Sequence, residues 1–263
     1  MYAISEPTLA ESGRDVRRAA RSGFSGLTVG RAPGHVQANL VLLPSKFASD
    51  FEAFCRANAQ ACPLLAVGAP GSWRLPELGV DLDVRSDLPA YLISENGKER
   101  RMHEIGSMWR GDFVAFAIGC WFGAEAALSA AGIRLRHVEL GVQGPLFRTN
   151  RAAAARGHFS GPLVVSMRPF ARADVDRVRE ITARLPLSHG APVHEGSAAE
   201  LGIVDTSRPD WGEPLSAEDE EVTLFWACGL TALAALKASR LPFFITHAPG
   251  AMLVTDLKET LTI

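Results

Sequence analysis

Apolar positions along the chain fall into two patterns. Short apolar runs at positions 36–43, 63–67, 161–169, 222–227 and 243–246 read as strands, and the β-branched and aromatic run at 222–227 as one buried on both faces. Apolar residues spaced three or four apart predict helices. These cover 11–22, 45–58 (Phe47, Phe51 and Phe54 on one face) and 171–185 (Val175, Val178, Ile181 and Thr182 inward). The longest helical pattern, 112–131, is apolar nearly all round and predicts a buried helix stopped by Gly132. Residues 134–140 alternate and predict a strand. Segments 88–94 and 99–103 flank Asn96 and Gly97, a hairpin signal. Residues 192–195 read as a short strand, 198–201 as a helical turn, and 68–89 and 208–214 as loop and linker.

The stretch 221–250 sets the expected topology. An apolar strand, the break at Cys228 and Gly229, an Ala/Leu-rich helix from Thr231 and a strand after Pro242 together read as a βαβ unit. The expected fold is therefore α/β: a mixed, largely parallel sheet flanked by helices. Residues 1–145 and 210–263 form its main domain, and residues 146–209 a smaller inserted α+β lobe. In such sheets ligands bind beyond the carboxyl ends of the strands, which puts Cys228, Gly229 and His247 on one rim.

Composition narrows the function. A formal net charge of -2 lacks the footprint of a nucleic-acid binder, and no apolar run nears the ~20 residues that cross a bilayer. Residues 1–21 carry dispersed charges and no signal-peptide core. Cys55, Cys62, Cys120 and Cys228 show no CxxC spacing, which fits reduced thiols in a cytoplasmic protein. Cys120 and Cys228 each precede an Ala-Ala-Leu triplet by the same six residues, a short internal echo.

Polar residues gather where strands end. His189 and His194 bracket Gly190 and Pro192 in a loop, at a spacing that suits proton transfer and does not specify zinc. Arg148 beside Asn150, and Arg168 at a strand end, are candidate carboxylate binders, because a planar guanidinium makes two parallel charge-assisted bonds. Cys228 precedes a helix start, which lowers a thiol pKa, and the amides at Gly229 and Thr231 favour an anion. Cys120 reads as inert core. No GxSxG, P-loop or GxGxxG occurs.

Taken in order, the motifs APGHVQANL (32–40), CPLL (62–65), GC (119–120), RTN (148–150), GPLVVSMRP (161–169), HGAPVH (189–194), FWACG (225–229) and ITHAPG (245–250) resemble the D-glutamate cyclase family. Its bacterial members are called hydro-lyases. The resemblance runs from about Gly30 to the C-terminus. It departs from the family pattern at His35 (usually Tyr), at Val142-Gln143-Gly144 (usually Arg-Asn-Val) and at Ala251 (usually His). It implies a lyase that closes D-glutamate to 5-oxo-D-proline with loss of water. The alternatives are a hydro-lyase acting on another small carboxylic acid and a non-catalytic carboxylate binder.

The reaction needs a base for the amine, an acid for the departing water, oxyanion donors and a cationic anchor. Arg148 with Asn150 is the expected anchor, and His189 or His194 the base and acid. His247 would orient the γ-carboxyl, and the backbone at Gly229 and Thr231 would meet the oxyanion. No metal ligands are assigned; no cofactor is certain, and Mn²⁺ is the one candidate. The expected partner is a small carboxylate, with no nucleic acid or membrane, and a homo-oligomer is left open.

Overall fold

A computed structural model describes residues 11–259. In its first half lie α1 (Gly13–Arg21), β1 (His35–Pro44), α2 (Ala48–Ala57), β2 (Leu64–Val67), β3 (Tyr91–Glu95), β4 (Lys98–Met102), β5 (Phe113–Gly119), α3 (Glu125–Ala130) and α4 (Arg136–Leu140). Then follow β6 (Leu146–Ala152), β7 (Pro162–Ala171), α5 (Val175–Ala183), β8 (His194–Glu195), β9 (Glu221–Ala227), α6 (Leu230–Ala238), β10 (Phe243–His247) and β11 (Leu253–Lys258).

These strands build two sheets. The first has the order β2-β5-β1-β10-β3-β4, with β11 pairing β1 as well; the second runs β6-β7-β9-β8. Every pairing among the described strands is antiparallel. The largely parallel sheet expected from 221–250 is therefore wrong. Strand β9 lies in the second sheet between β7 and β8, whereas β10 lies in the first between β1 and β3. Helix α6 links two sheets instead of crossing back over one. An apolar strand followed by an apolar helix fits both arrangements, because each buries every face.

The same ambiguity explains a second correction. Residues 112–131 do not form one helix: Phe113 to Gly119 are strand β5, followed by a 3₁₀ turn at Trp121–Ala124 and then α3. Along β5, Phe113, Ala115 and Ala117 enter one core, and Val114, Phe116 and Ile118 enter the other. The period is two, but with both faces buried no polar position reveals it.

Residues 134–140, expected as a strand, instead contain α4. Gly141 ends that helix in the left-handed region (φ 64°). The amides of Gly141 and Val142 cap the carbonyls of Val138 and His137, a Schellman ending.

Other expectations hold. Ser12 caps α1 with a reciprocal Asp15 contact, and Arg17 ties that helix to Asp256 of β11 at 2.9 Å. Phe51 and Phe54 are fully buried on α2. The hairpin turns at Asn96 and Gly97, both at positive φ.

The main core joins one face of β1 and β5 to α2, α6 and the inner face of the second sheet, through Val41, Phe116, Phe51, Leu233, Leu146 and Val164. Helix α6 is buried along Leu230 to Leu236, which accounts for its lack of a polar face. The Thr231 hydroxyl accepts from the Val164 amide at 2.9 Å and pins the helix to β7. No helix among the described residues is long and apolar enough to cross a membrane.

Candidate active site between the two sheets

At the seam between the sheets lies a small cavity of about 30 Å³. The first sheet contributes Asn39 of β1, His247 at the end of β10, and Cys120 and Trp121 directly after β5. The second contributes Ser166 and Arg168 of β7 and Cys228 directly after β9, and His189 enters from the loop after α5. Cys120 and Cys228 thus hold equivalent places, each between a strand and a helical segment, which gives the Ala-Ala-Leu echo a structural counterpart. A groove of about 700 Å³ beside Arg134, Arg172 and Glu220 is far larger, but none of the candidate residues lines it.

Arg168 is the cavity's charged group and is only 3% exposed. Its Nη1 donates to the Met167 carbonyl at 2.8 Å and its Nη2 to the Gln143 carbonyl at 2.9 Å, while its Nε has no partner. Among the described residues no carboxylate forms an ion pair with it. Burial lowers its pKa to about 10, which leaves it cationic at neutral pH. The guanidinium carbon stands 5.0 Å from the Trp121 ring centroid. Gly144 (φ 77°) passes so close that a Cβ there would come within 2.8 Å of Nη1.

Both imidazoles at the cavity are held neutral. His189 and His247 are 1% and 3% exposed, and burial lowers each pKa to about 4. His189 Nδ1 faces the Gln60 carbonyl at 2.9 Å and His247 Nδ1 faces the Leu40 carbonyl at 3.5 Å. With Nδ1 as the donor, each ring keeps Nε2 as an acceptor.

The thiols are not activated. Burial pushes Cys228 up to about 12 and Cys120 higher still, which overturns the expectation that the helix start lowers Cys228. Both keep some accessible surface, but they open on the cavity, so desolvation prevails over the helix end. Gly229 lies against Asn39, whose amide a Cβ at 229 would meet at 2.3 Å. The Thr231 amide already donates to the Cys228 carbonyl at 2.9 Å, so it is not free for an oxyanion.

Four expected site residues therefore line one cavity: Arg168, His189, His247 and Cys228. Three others lie elsewhere. Arg148 is half-exposed, pairs with Asp210 and stacks on Trp211 at 4.4 Å. Asn150 is exposed, packed beside Gly202. His194 packs on Phe225 on the outer face of the second sheet, its Nε2 2.9 Å from the Ser197 carbonyl. His194, opposite Phe225, is on the sheet face turned away from the cavity, whereas Arg148 shares the face of Leu146 and is set off along β6 toward Asp210.

Sequence reasoning missed Asn39, Trp121 and Ser166. It also missed the buried pair behind Trp121, in which His137 Nε2 lies 3.0 Å from Glu125 Oε1 and the Gly30 amide donates to Oε2 at 3.0 Å. Glu125 lines a second hollow of about 260 Å³, and Phe122 is a wall of both. No group of three or more His, Cys, Asp or Glu suited to a metal occurs among the described residues. Mn²⁺ favours carboxylate, carbonyl and water ligands, and the cavity offers the oxygens of Asn39, Gln143 and Ser166 but, among the described residues, no carboxylate.

Comparison with known proteins agrees with these motifs. The chain is 46% identical to a protein of Rhodopseudomonas palustris strain HaA2, over 98% of this chain and 97% of the relative. It is 49% identical to one of Bordetella pertussis (96% and 92%) and 47% identical to one of Bradyrhizobium diazoefficiens (94% and 91%). All three carry the name "putative hydro-lyase". Among solved structures, a nitrogen repressor-like protein of Methanococcus jannaschii aligns over 93% of this chain and 98% of its own, at a TM-score of 0.38 and 10% identity, too distant to carry an argument. The signature of the family described as D-glutamate cyclase matches residues 114–256, and the chain belongs to that family.

Proposed function

We propose that the protein is a hydro-lyase that closes D-glutamate to 5-oxo-D-proline and water in the cavity between its sheets. The observation that carries this reading is a buried guanidinium without a carboxylate partner, sharing a small cavity with two neutral imidazoles. Arg168 anchors the α-carboxylate and fixes the chirality at the α-carbon. As the nitrogen bonds to the γ-carbon, the α-ammonium gives up two protons and one γ-carboxylate oxygen takes up both and leaves as water, so the reaction needs proton relay and no net proton. His189 and His247, each presenting an unprotonated Nε2, relay those protons. Substrate carboxylates raise the imidazole pKa values toward neutrality by bringing negative charge beside them.

A cavity of about 30 Å³ holds about one or two waters. A five-carbon diacid therefore needs a wall to move, and Phe122, shared with the 260 Å³ hollow, is the wall between the cavity and the larger space.

The test is to incubate purified protein with D-glutamate, with L-glutamate and with a panel of small hydroxy and amino diacids, with and without Mn²⁺, and to follow 5-oxoproline and water loss. Turnover of D-glutamate alone, unchanged by Mn²⁺, is expected. Turnover of another acid with D-glutamate inert would replace the substrate. Saturable binding without turnover would make the protein a carboxylate binder.

A further inference from the structure

Besides the Arg168 Nε, two hydrogen-bond donors on side chains that line the cavity have nothing to bond to. Trp121 Nε1 and Ser166 Oγ each belong to a side chain that lines it, each residue is 3% exposed, and neither atom has a partner. A buried polar group left unpaired costs stability, so it persists where something else supplies the partner. An indole N–H can only donate, so the partner it lacks is an acceptor.

The two donors come from opposite sheets. Trp121 starts the 3₁₀ turn after β5, and Ser166 sits in β7 across from Trp226. The indole is fixed in place, with the Arg168 guanidinium carbon 5.0 Å from its ring centroid and the rings of His137 and Trp226 at 5.3 and 5.4 Å. Ser166 and Arg168 are two residues apart on one strand and share a face, roughly 7 Å apart along it. One end of the cavity thus carries a cation for a carboxylate, and beside it lie two donors for a second, uncharged or newly charged oxygen.

Resting on the cyclase reading above, we propose that Trp121 Nε1 and Ser166 Oγ form the oxyanion site of the reaction. The amine nitrogen bonds to the γ-carboxyl carbon, and the C=O π pair moves onto the oxygen, which accepts from both donors. The pair then returns to re-form the carbonyl as the C–OH bond breaks and water leaves with the relayed proton. Donors fixed before the reaction stabilise this charge without reorganising. At the start of α6 the Thr231 amide is already bonded to the Cys228 carbonyl.

Two measurements test the proposal, one needing turnover and one not. Trp121→Phe and Ser166→Ala are each expected to lower kcat about 100- to 1,000-fold, with KM for D-glutamate within about threefold of wild type. In the second, binding of 3-oxocyclopentanecarboxylate and cyclopentanecarboxylate is measured by calorimetry. These rings differ only in the carbonyl oxygen that the donors should hold. Wild type should prefer the ketone by about tenfold or more, and each variant should lose that preference while still binding the plain ring acid.

Circular dichroism checks folding, and if Trp121→Phe does not fold, Ser166→Ala and Ser166→Cys carry both measurements. Variants with kcat within about threefold of wild type, or with the ketone preference intact, overturn the oxyanion assignment and leave the cyclase reading standing. No turnover of D-glutamate with the ketone preference present and donor-dependent would sink the cyclase reading and keep the two donors as a carbonyl site. Absence of any ketone preference in wild type overturns the assignment outright.

Discussion

Glu125 Oε1 lies 3.0 Å from His137 Nε2, yet the pair is a neutral hydrogen bond and not a salt bridge, because burial raises the carboxyl to about 8 and pushes the imidazole well below its usual value. This gives stability a pH dependence with a definite sign. The folded Glu125 holds its proton up to about pH 8, whereas the unfolded chain releases it near 4.5, so stability falls as pH rises through that window. His189 and His247 act oppositely. Their folded values of about 4 lie below the unfolded 6.5, so the unfolded chain binds more protons between them and stability falls as pH drops from 6.5 to 4, and the depressed His137 adds to this in the same direction. Thermal unfolding should show a maximum between about pH 6.5 and 7. Glu125→Gln should flatten the alkaline side, recovering roughly 4 kcal/mol at pH above 8. A wild-type Tm as high at pH 8.5 as at pH 7 would contradict this account.

Arg168 sets function against stability. An uncompensated buried cation is costly, and its value is realised when an anion binds. Arg168→Gln is expected to lower kcat/KM at least about 100-fold, with Tm within about 3 °C of wild type. The Tm rise that small carboxylates give the wild type should vanish in the variant. Arg148→Ala is the contrast: half-exposed and paired with Asp210, Arg148 should change kcat/KM by less than about threefold. Steady-state kinetics on the two variants, side by side, decide which arginine is the anchor.

The thiols give a third expectation. With Cys228 at about 12 and Cys120 higher, both stay protonated at neutral pH. An aromatic disulfide reagent at pH 8 should label the native protein at least about 100-fold more slowly than the urea-unfolded chain. Cys228→Ala should keep kcat within about tenfold of wild type. Rapid native labelling coupled to loss of activity would instead mark a reactive cysteine.

Apolar runs located most of the ordered segments from sequence, and the hairpin at Asn96–Gly97 and the Phe51/Phe54 face of α2 were legible outright, because local chemistry decides them. Strand β5 was not, since residues buried on both sides of a sheet show no alternation between polar and apolar. Helix α4 was misread for the opposite reason: its seven-residue surround alternates by chance, and the deciding signal was the left-handed glycine at 141. Sheet direction was lost because the link through α6 looks the same locally whether its strands share a sheet or not.

The site divided along similar lines. Arg168, His189, His247 and Cys228 stand in polar loops or at strand ends, where a lone sequence draws attention to them. Trp121 and Ser166 look like ordinary core residues until their unbonded atoms are seen, and that is a tertiary property. The matched offset of the two Ala-Ala-Leu triplets was the one sequence signal that could have brought Cys120, and Trp121 beside it, into view.

Helix α6 passes from a strand of one layer to a strand of the other, and the groups around the cavity are divided between those layers. Neither layer can therefore be excised as a working miniature, and fragments cut at the linkers would be inert alone. Recovered turnover on mixing such fragments would report that the interface had re-formed, so the reaction itself can serve as a gauge of assembly.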